Sequence, residues 1–208
     1  MGIIAKESGT PRELIPTGNV QGVCYGVAEI GHRDGLYGIK HEAVMLFEIP
    51  SLRQTDDDGV DLPKTINKFY PISLHVDSNL GKDLTSWRGK PFTEQEKAGF
   101  DISTVIGANC LLNIAHYEKK DKSTGDKIAS ITPLMAGMNK LSPERAVIDY
   151  SIADKGFDFT GLPEWVTKEI KKSEEFKKDA NAGTPPQNNE PPVTEDDPLG
   201  IGDQENPF

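Results

Sequence analysis

Val20-Gln21-Gly22-Val23-Cys24-Tyr25-Gly26-Val27-Ala28-Glu29-Ile30 is the stretch on which the fold turns. Alternation puts Val23, Tyr25 and Val27 on one face of a strand and Gly22, Cys24, Gly26 and Ala28 on the other. Two glycines weaken a strand interior, so their presence signals sharp curvature or the close approach of another chain segment. A strand of this kind suits a small barrel, whose strands must tilt and bend to close.

Outward from this stretch the pattern stays strand-like. Gly31 to Gly38 reads as a turn-rich connection to a second run, Ile39 to Ile49, ending in Ala43-Val44-Met45-Leu46-Phe47. A polar loop opens at Asp56-Asp57-Asp58-Gly59, and a third run follows from Lys68 to Val76, with Pro71 marking an edge or a bulge. Leu80, Leu84 and Trp87 then recur at i, i+4 and i+7, the spacing of one helix face, and Gly89 and Pro91 end that helix. Thr93-Glu94-Gln95-Glu96 has the form of a capping box. A fourth run, Asn109 to Tyr117, and a fifth, Lys127 to Leu134, flank a charged hairpin tip. Three strands, a helical insertion between strands 3 and 4, and two hairpin strands is the order of an OB-fold. The expected fold is therefore mainly β, an OB-fold-like five-stranded barrel.

Around this barrel, residues 1–18 read as a flexible arm and 19–138 as the OB-fold-like, nucleic-acid-binding domain. Residues 139–178 read as a connecting segment with a C-terminal helix over Leu162 to Lys178, opened by Pro163 and closed by Lys177 and Lys178. Residues 179–208 read as a disordered acidic tail, rich in Pro, Gly, Asn and acids. The formal net charge is -10. Seven acids and no Lys or Arg lie in Asp179 to Phe208, which leaves 26 acids against 23 bases in the rest. The body is thus near neutral and can carry a local basic face.

Other signals exclude function classes. No apolar run approaches the roughly 18 residues of a membrane span, and the N-terminus has no signal-peptide core. Cys24 and Cys110 make no CxxC pattern and read as buried small apolar residues, which fits a reducing, cytoplasmic setting. The four histidines lack metal spacing, and His41, His75 and His116 read as hydrogen-bonded structural residues. There is no phosphate-binding Gly loop and no nucleophile elbow. The expectation is a non-enzyme with no cofactor and no metal.

Two resemblances sharpen this. Ser73-Leu74, the stretch from Leu80 to Thr93, and Phe100-Asp101 resemble a phage-encoded family of single-stranded DNA-binding replication proteins. Its most specific piece is Leu84-x-x-Trp87-Arg88-Gly89-Lys90-x-Phe92-Thr93, and the likeness covers roughly residues 18–138 plus the helix near Trp165. The tip Asp203-Gln204-Glu205-Asn206-Pro207-Phe208 resembles the acidic, Pro-Phe-ending tip of bacterial single-stranded DNA-binding proteins, although Asn206 stands where a more apolar residue is usual. Outside the tip the chain is not similar to the bacterial protein, and residues 139–178 have no assignable counterpart. The resemblance implies coating of single-stranded DNA, without sequence specificity, in phage-type replication or recombination in the host cytoplasm. It further implies recruitment of host or phage replication and recombination proteins through Asp203, Glu205, Pro207 and Phe208.

Non-specific binding to single strands needs aromatic faces for bases and cations for phosphates. The candidates are Tyr70 with Lys68 on the third run, Tyr117 with Lys119, Lys120 and Lys122 at the hairpin, Arg88 and Lys90 after the helix, and Lys40 on the second run. Trp87, Phe47 and Phe69 read as core, and Trp165 docks the C-terminal helix on the barrel or on a second subunit, which leaves a homodimer open. The alternative reading is a phage structural or interaction protein, a DNA mimic without DNA binding of its own.

Overall fold

A computed structural model describes residues 13–35, 38–56 and 59–182. The fold is mainly β. The elements are β1 (Gly18–Gly35), β2 (Gly38–Thr55), β3 (Asp61–Pro71), α1 (Asn79–Arg88), α2 (Glu94–Ala98), a 3-10 turn (Ile102–Val105), β4 (Asn109–Glu118), β5 (Thr124–Pro133), β6 (Ile148–Tyr150), α3 (Ile152–Lys155), α4 (Glu164–Ile170) and α5 (Glu174–Ala182). One sheet runs in the order β3-β2-β1-β4-β5 with antiparallel neighbours, and β6 joins it parallel to β1. The sheet is not closed. Its ends are β3 and β5, and α1 packs against both.

β1 organises the sheet. Its first part, Gly18 to Val23, pairs with β4, and the part from Val23 onward pairs with β2. The two glycines are sites of close approach. A Cβ on Gly22 would lie 2.6 Å from the Leu112 side chain, and one on Gly26 would lie 2.7 Å from Ile148 where β6 pairs. Strict alternation fails here. Register shifts at Cys24/Gly26 and Glu29/Gly31 turn Cys24 and Val27 to one face, and Tyr25, Ala28 and Ile30 to the other. An extra residue at a bulge flips the side-chain parity of all that follows.

Both faces of the central part of β1 and β2 are consequently buried. The inner face joins Cys24, Met45, Phe47, Tyr70, Cys110, Leu112 and Ile128 to Leu80, Leu84 and Trp87 of α1. Helix α1 has the expected apolar stripe. Ser78 caps its start by accepting from Gly81 N–H, and Gly89, at φ 70°, ends it in the left-handed region glycine adopts freely. The outer face of β1 and β2 carries Tyr25, Ala28, Ile30, Val44 and Leu46, covered by Ile148, Tyr150, Val166 and Ile170 from the C-terminal segment.

Carboxylates fasten that cover. Glu48, fully buried on β2, accepts from the backbone N–H groups of Glu144 at 2.8 Å and Arg145 at 3.1 Å. Glu29 accepts from Ile152 N–H at 2.8 Å and from the Ser151 hydroxyl at 3.1 Å. Glu175 of α5 accepts from His32 N–H at 2.9 Å.

Several sequence expectations are corrected. Gly31 to Gly38 is mostly strand, because the β1–β2 pairing continues to Gly35↔Gly38. The third strand starts at Asp61 and ends at Pro71, since Asp61 to Lys64, which show no strand alternation, also pair with β2. Residues 13–17 are docked: Ile15 is buried, and its N–H and C=O meet Asp126 and His116. The C-terminal helix is two helices, broken around buried Ser173, so Lys177 and Lys178 lie within α5. β6 and α3 carry no periodic signal in the sequence and are short.

Burial pushes the Cys24 thiol up to about 12 and the Cys110 thiol further still. Both are free and buried. At about pH 8, near the ordinary thiol value, neither will react with a thiol reagent until the protein unfolds. Labelling followed by mass spectrometry checks this, and fast native labelling would contradict the packing. Glu48→Ala removes the acceptor for two backbone donors, each costing roughly 1–3 kcal/mol when orphaned. Its expected phenotype is a lower urea midpoint and early proteolysis within residues 139–178.

Candidate nucleic-acid interface

The β4–β5 hairpin gathers four of the sequence candidates. Tyr117 lies opposite Gly125, and a Cβ on that glycine would stand 3.0 Å from the tyrosine ring. The ring therefore lies against the glycine, and Tyr117 as a whole is 42% exposed. The tip is a tight turn: Lys119 N–H donates to Ser123 C=O at 2.8 Å, and Lys122 takes φ 65°. Asp121 accepts from the Ser123 hydroxyl and N–H, bonds that hold its carboxyl below the usual range. Fixed this way, the turn leaves Lys119, Lys120 and Lys122 exposed. Lys127 of β5 places its ammonium 5.9 Å from the Tyr117 ring centroid. A small hollow of about 110 Å³ lies beside the ring, lined by Leu14, Tyr117, Lys119 and Thr124 among others.

The other candidates are dispersed. Tyr70 cannot stack on a base, because its ring is fully buried beneath α1. Its hydroxyl donates to Asp83 at 2.7 Å, and burial, with Asp83 beside it, pushes the phenol far up. Lys68 donates to the same Asp83 at 2.6 Å, so this trio ties β3 to α1. Arg88 is also committed. It donates to Glu96 at 2.5 Å and lies 4.4 Å above the Phe92 ring centroid. Lys90, just past the Gly89 cap, is exposed. Lys40 is half-buried on β2 opposite Arg33, at the other end of β1 from the β4–β5 hairpin. Asp203, Glu205, Pro207 and Phe208 lie outside the described residues.

A second exposed aromatic group was read in part as core. Phe69 and Trp165 meet edge to face at 6.1 Å, 36% and 37% exposed, with the Arg33 guanidinium 5.5 Å from the Phe69 ring. Alternation on β3 carried the signal, since Tyr70 facing inward sends Phe69 outward. Trp165 does contact the sheet through this pair, as the docking reading expects. Arg33 is held by Glu42 and by Glu169 at 2.5 Å, so the cations here are already matched by acids.

Among the described residues the histidines bond to protein groups. His32 pairs with Glu175 and His41 with Glu29 at 2.6 Å, and the two rings stack at 4.4 Å. His116 Nε2 lies 2.8 Å from Ile15 C=O. No cluster of three or more His, Cys, Asp or Glu suited to a metal occurs among the described residues. No helix among them is long and apolar enough to cross a membrane. No family model matches the chain. A search of curated proteins finds no significant match.

Glu96 also closes the capping box of α2, accepting from Thr93 N–H at 2.8 Å. The Arg88 guanidinium, followed by this backbone bond, holds its carboxyl at about 2, against an ordinary 4.5. A depressed carboxylate stabilises the fold above its unfolded value. That contribution is lost as pH falls from about 4.5 toward 2. Glu96→Gln removes the titration, so acid unfolding of the variant will be less steep in that window. Identical acid profiles would refute the assignment.

Proposed function

We propose that the protein binds single-stranded DNA without sequence preference, in phage-type replication or recombination. The observation that carries this reading is the β4–β5 hairpin, where a half-exposed tyrosine stands among Lys119, Lys120, Lys122 and Lys127. One aromatic face with several unburied ammonium groups supplies both requirements of single-strand binding, a surface for bases and charge for phosphates. The strand order supports an OB-like barrel. β1 is central, β2 and β4 flank it, and helical segments intervene between β3 and β4. In that fold the loop between strands 4 and 5 is a usual contact region. Residues 203–208 then act as a separate device that recruits replication or recombination proteins.

The reading predicts salt-sensitive binding of oligo-dT by fluorescence anisotropy. The log–log salt slope should be about 0.7 per phosphate contact. Tyr117→Ala should weaken binding by about 1–3 kcal/mol, the worth of one stacked base. Charge reversal at Lys119, Lys120 and Lys122 should flatten the salt slope, while Tyr70→Phe should leave affinity unchanged. Absence of oligo-dT binding at low salt would overturn the proposal. For the tail, Phe208→Ala should abolish capture of a tip-binding protein and leave DNA binding intact.

One observation favours a second reading, an interaction protein without DNA binding of its own. Strands 2 and 3 form the main ligand face of an OB-fold, and here the outer side of β2 is buried under the C-terminal segment. On this reading both the wild type and the Tyr117 variant fail to bind oligo-dT.

A further inference from the structure

The C-terminal segment covers β1 and β2 on their outer side, and the apolar cluster it forms with them includes no residue of β4 or β5. The first part of β1, together with β4 and β5, keeps an outer face of its own. The register fixes what that face presents. Asn19 and Gln21 of β1 lie opposite Asn113 and Leu111 of β4, which in turn lie opposite Ser130 and Thr132 of β5. Ala115 and Tyr117 continue the row on β4, facing Lys127 and Gly125. The alternate positions, among them Leu112, Ile114, Ile128 and Ile131, fill the inner core, so this row points outward.

The strip is mostly polar, and none of these positions carries a carboxylate, in a chain with 33 Asp and Glu. Its amides are held by one another. Asn113 Nδ2 donates to Asn19 Oδ1 at 2.8 Å. Gln21 Nε2 donates to Asn109 Oδ1 at 3.0 Å and to Asn139 C=O at 2.8 Å. Asn109 in turn donates to Leu141 C=O at 2.8 Å and accepts from Leu141 N–H at 2.9 Å. These bonds lay residues 139–141 against one end of the strip and bring exposed Lys140 there. Tyr117 and exposed Lys127 stand at the other end. Unlike Lys68 and Arg88, neither Lys127 nor Lys140 is in an ion pair among the described residues.

We infer that this strip is the track of a single strand, which leaves Tyr117 and crosses Ala115, Asn113 and Ser130 toward Gln21 and Lys140. The inference rests on the DNA-binding reading and gives it a path. An amide carries both donors and an acceptor, and a hydroxyl does the same. Asn19, Asn113, Ser130 and Thr132 therefore meet the polar edge of any base, which suits binding without sequence preference. The small Ala115 side chain lets a base beside Tyr117 approach the strand closely. Lysines at both ends supply charge for the phosphates. From Tyr117 to Leu111 the track is roughly 20 Å long at about 3.3 Å per residue. That is a length for about four nucleotides, the low end of the site size of one such barrel. The track takes the place of the β2 surface that the C-terminal segment closes.

Lysine acetylation of the full chain, read by mass spectrometry with and without oligo-dT at low salt, tests the track. Lys140 should be protected together with Lys119 and Lys127, while Lys82, exposed on α1 at the inner side of the sheet, keeps its reactivity. In anisotropy, Asn113→Asp/Ser130→Asp sets two carboxylates against the phosphates and should weaken oligo-dT binding at least about tenfold. The footprint uses the unaltered protein, so it decides the matter even if the variant folds poorly. Protection confined to the hairpin lysines, with Lys140 as reactive as in the free protein, would overturn the track and leave DNA binding in place. Failure of the wild type to bind oligo-dT at all would remove the DNA-binding reading and the track with it.

Discussion

The outer half of this molecule depends on carboxylates that reach from the sheet to backbone N–H groups of the C-terminal segment. Glu48 and Glu29 together accept from three backbone donors, at residues 144, 145 and 152. These anchors hold β6 and α3 in place, and α4 follows, closing over Tyr25, Val44 and Leu46. A buried carboxylate is costly unless its lone pairs are met. Glu48 therefore specifies where the cover sits, because any other placement would leave it unmatched. Burial pushes the Tyr25 phenol beside it up to about 12, with the Glu48 charge opposing the Arg145 guanidinium there. Arg145 in turn donates to Pro63 C=O on β3, extending the fastening to the edge of the sheet.

Filling the outer face redistributes what remains available for binding. The β2 surface is closed, and the nearby aromatic pair Phe69–Trp165 is served by an arginine already shared between Glu42 and Glu169. At the far end of β1 the β4–β5 hairpin projects beyond the cover with its lysines exposed. The same logic explains which cations were lost as candidates. Lys68 and Arg88 belong to the attachment of α1 and α2, where Asp83 and Glu96 neutralise them. A cation that stabilises a helix contact is a poor phosphate ligand, since binding would require breaking a pair already made.

The sequence by itself determined the local features with a one-dimensional cause. Helical spacing placed Leu80, Leu84 and Trp87 on the buried face of α1. The capping box at Thr93 formed as its residue types dictate. Gly22 and Gly26 of β1 marked close approach, and the apolar character of Cys24 and Cys110 marked burial. The hairpin carrying Tyr117 and its lysines was also legible, because alternating strands and a charged tip are neighbours in the chain.

Only the tertiary structure decided the rest. Bulges at Cys24/Gly26 and Glu29/Gly31 set which residues of β1 share a face, and a bulge depends on the partner strand. Tyr70 and Phe69 exchanged their expected places because β3 presents one face to α1 and the other to α4. Asp83 is fifteen residues from Lys68, and Glu48 is ninety-six from Glu144, so neither pairing has a local signature. Periodicity reports which side of an element is apolar. Which element covers that side, and which charges are consumed in fastening it, follows from three-dimensional packing.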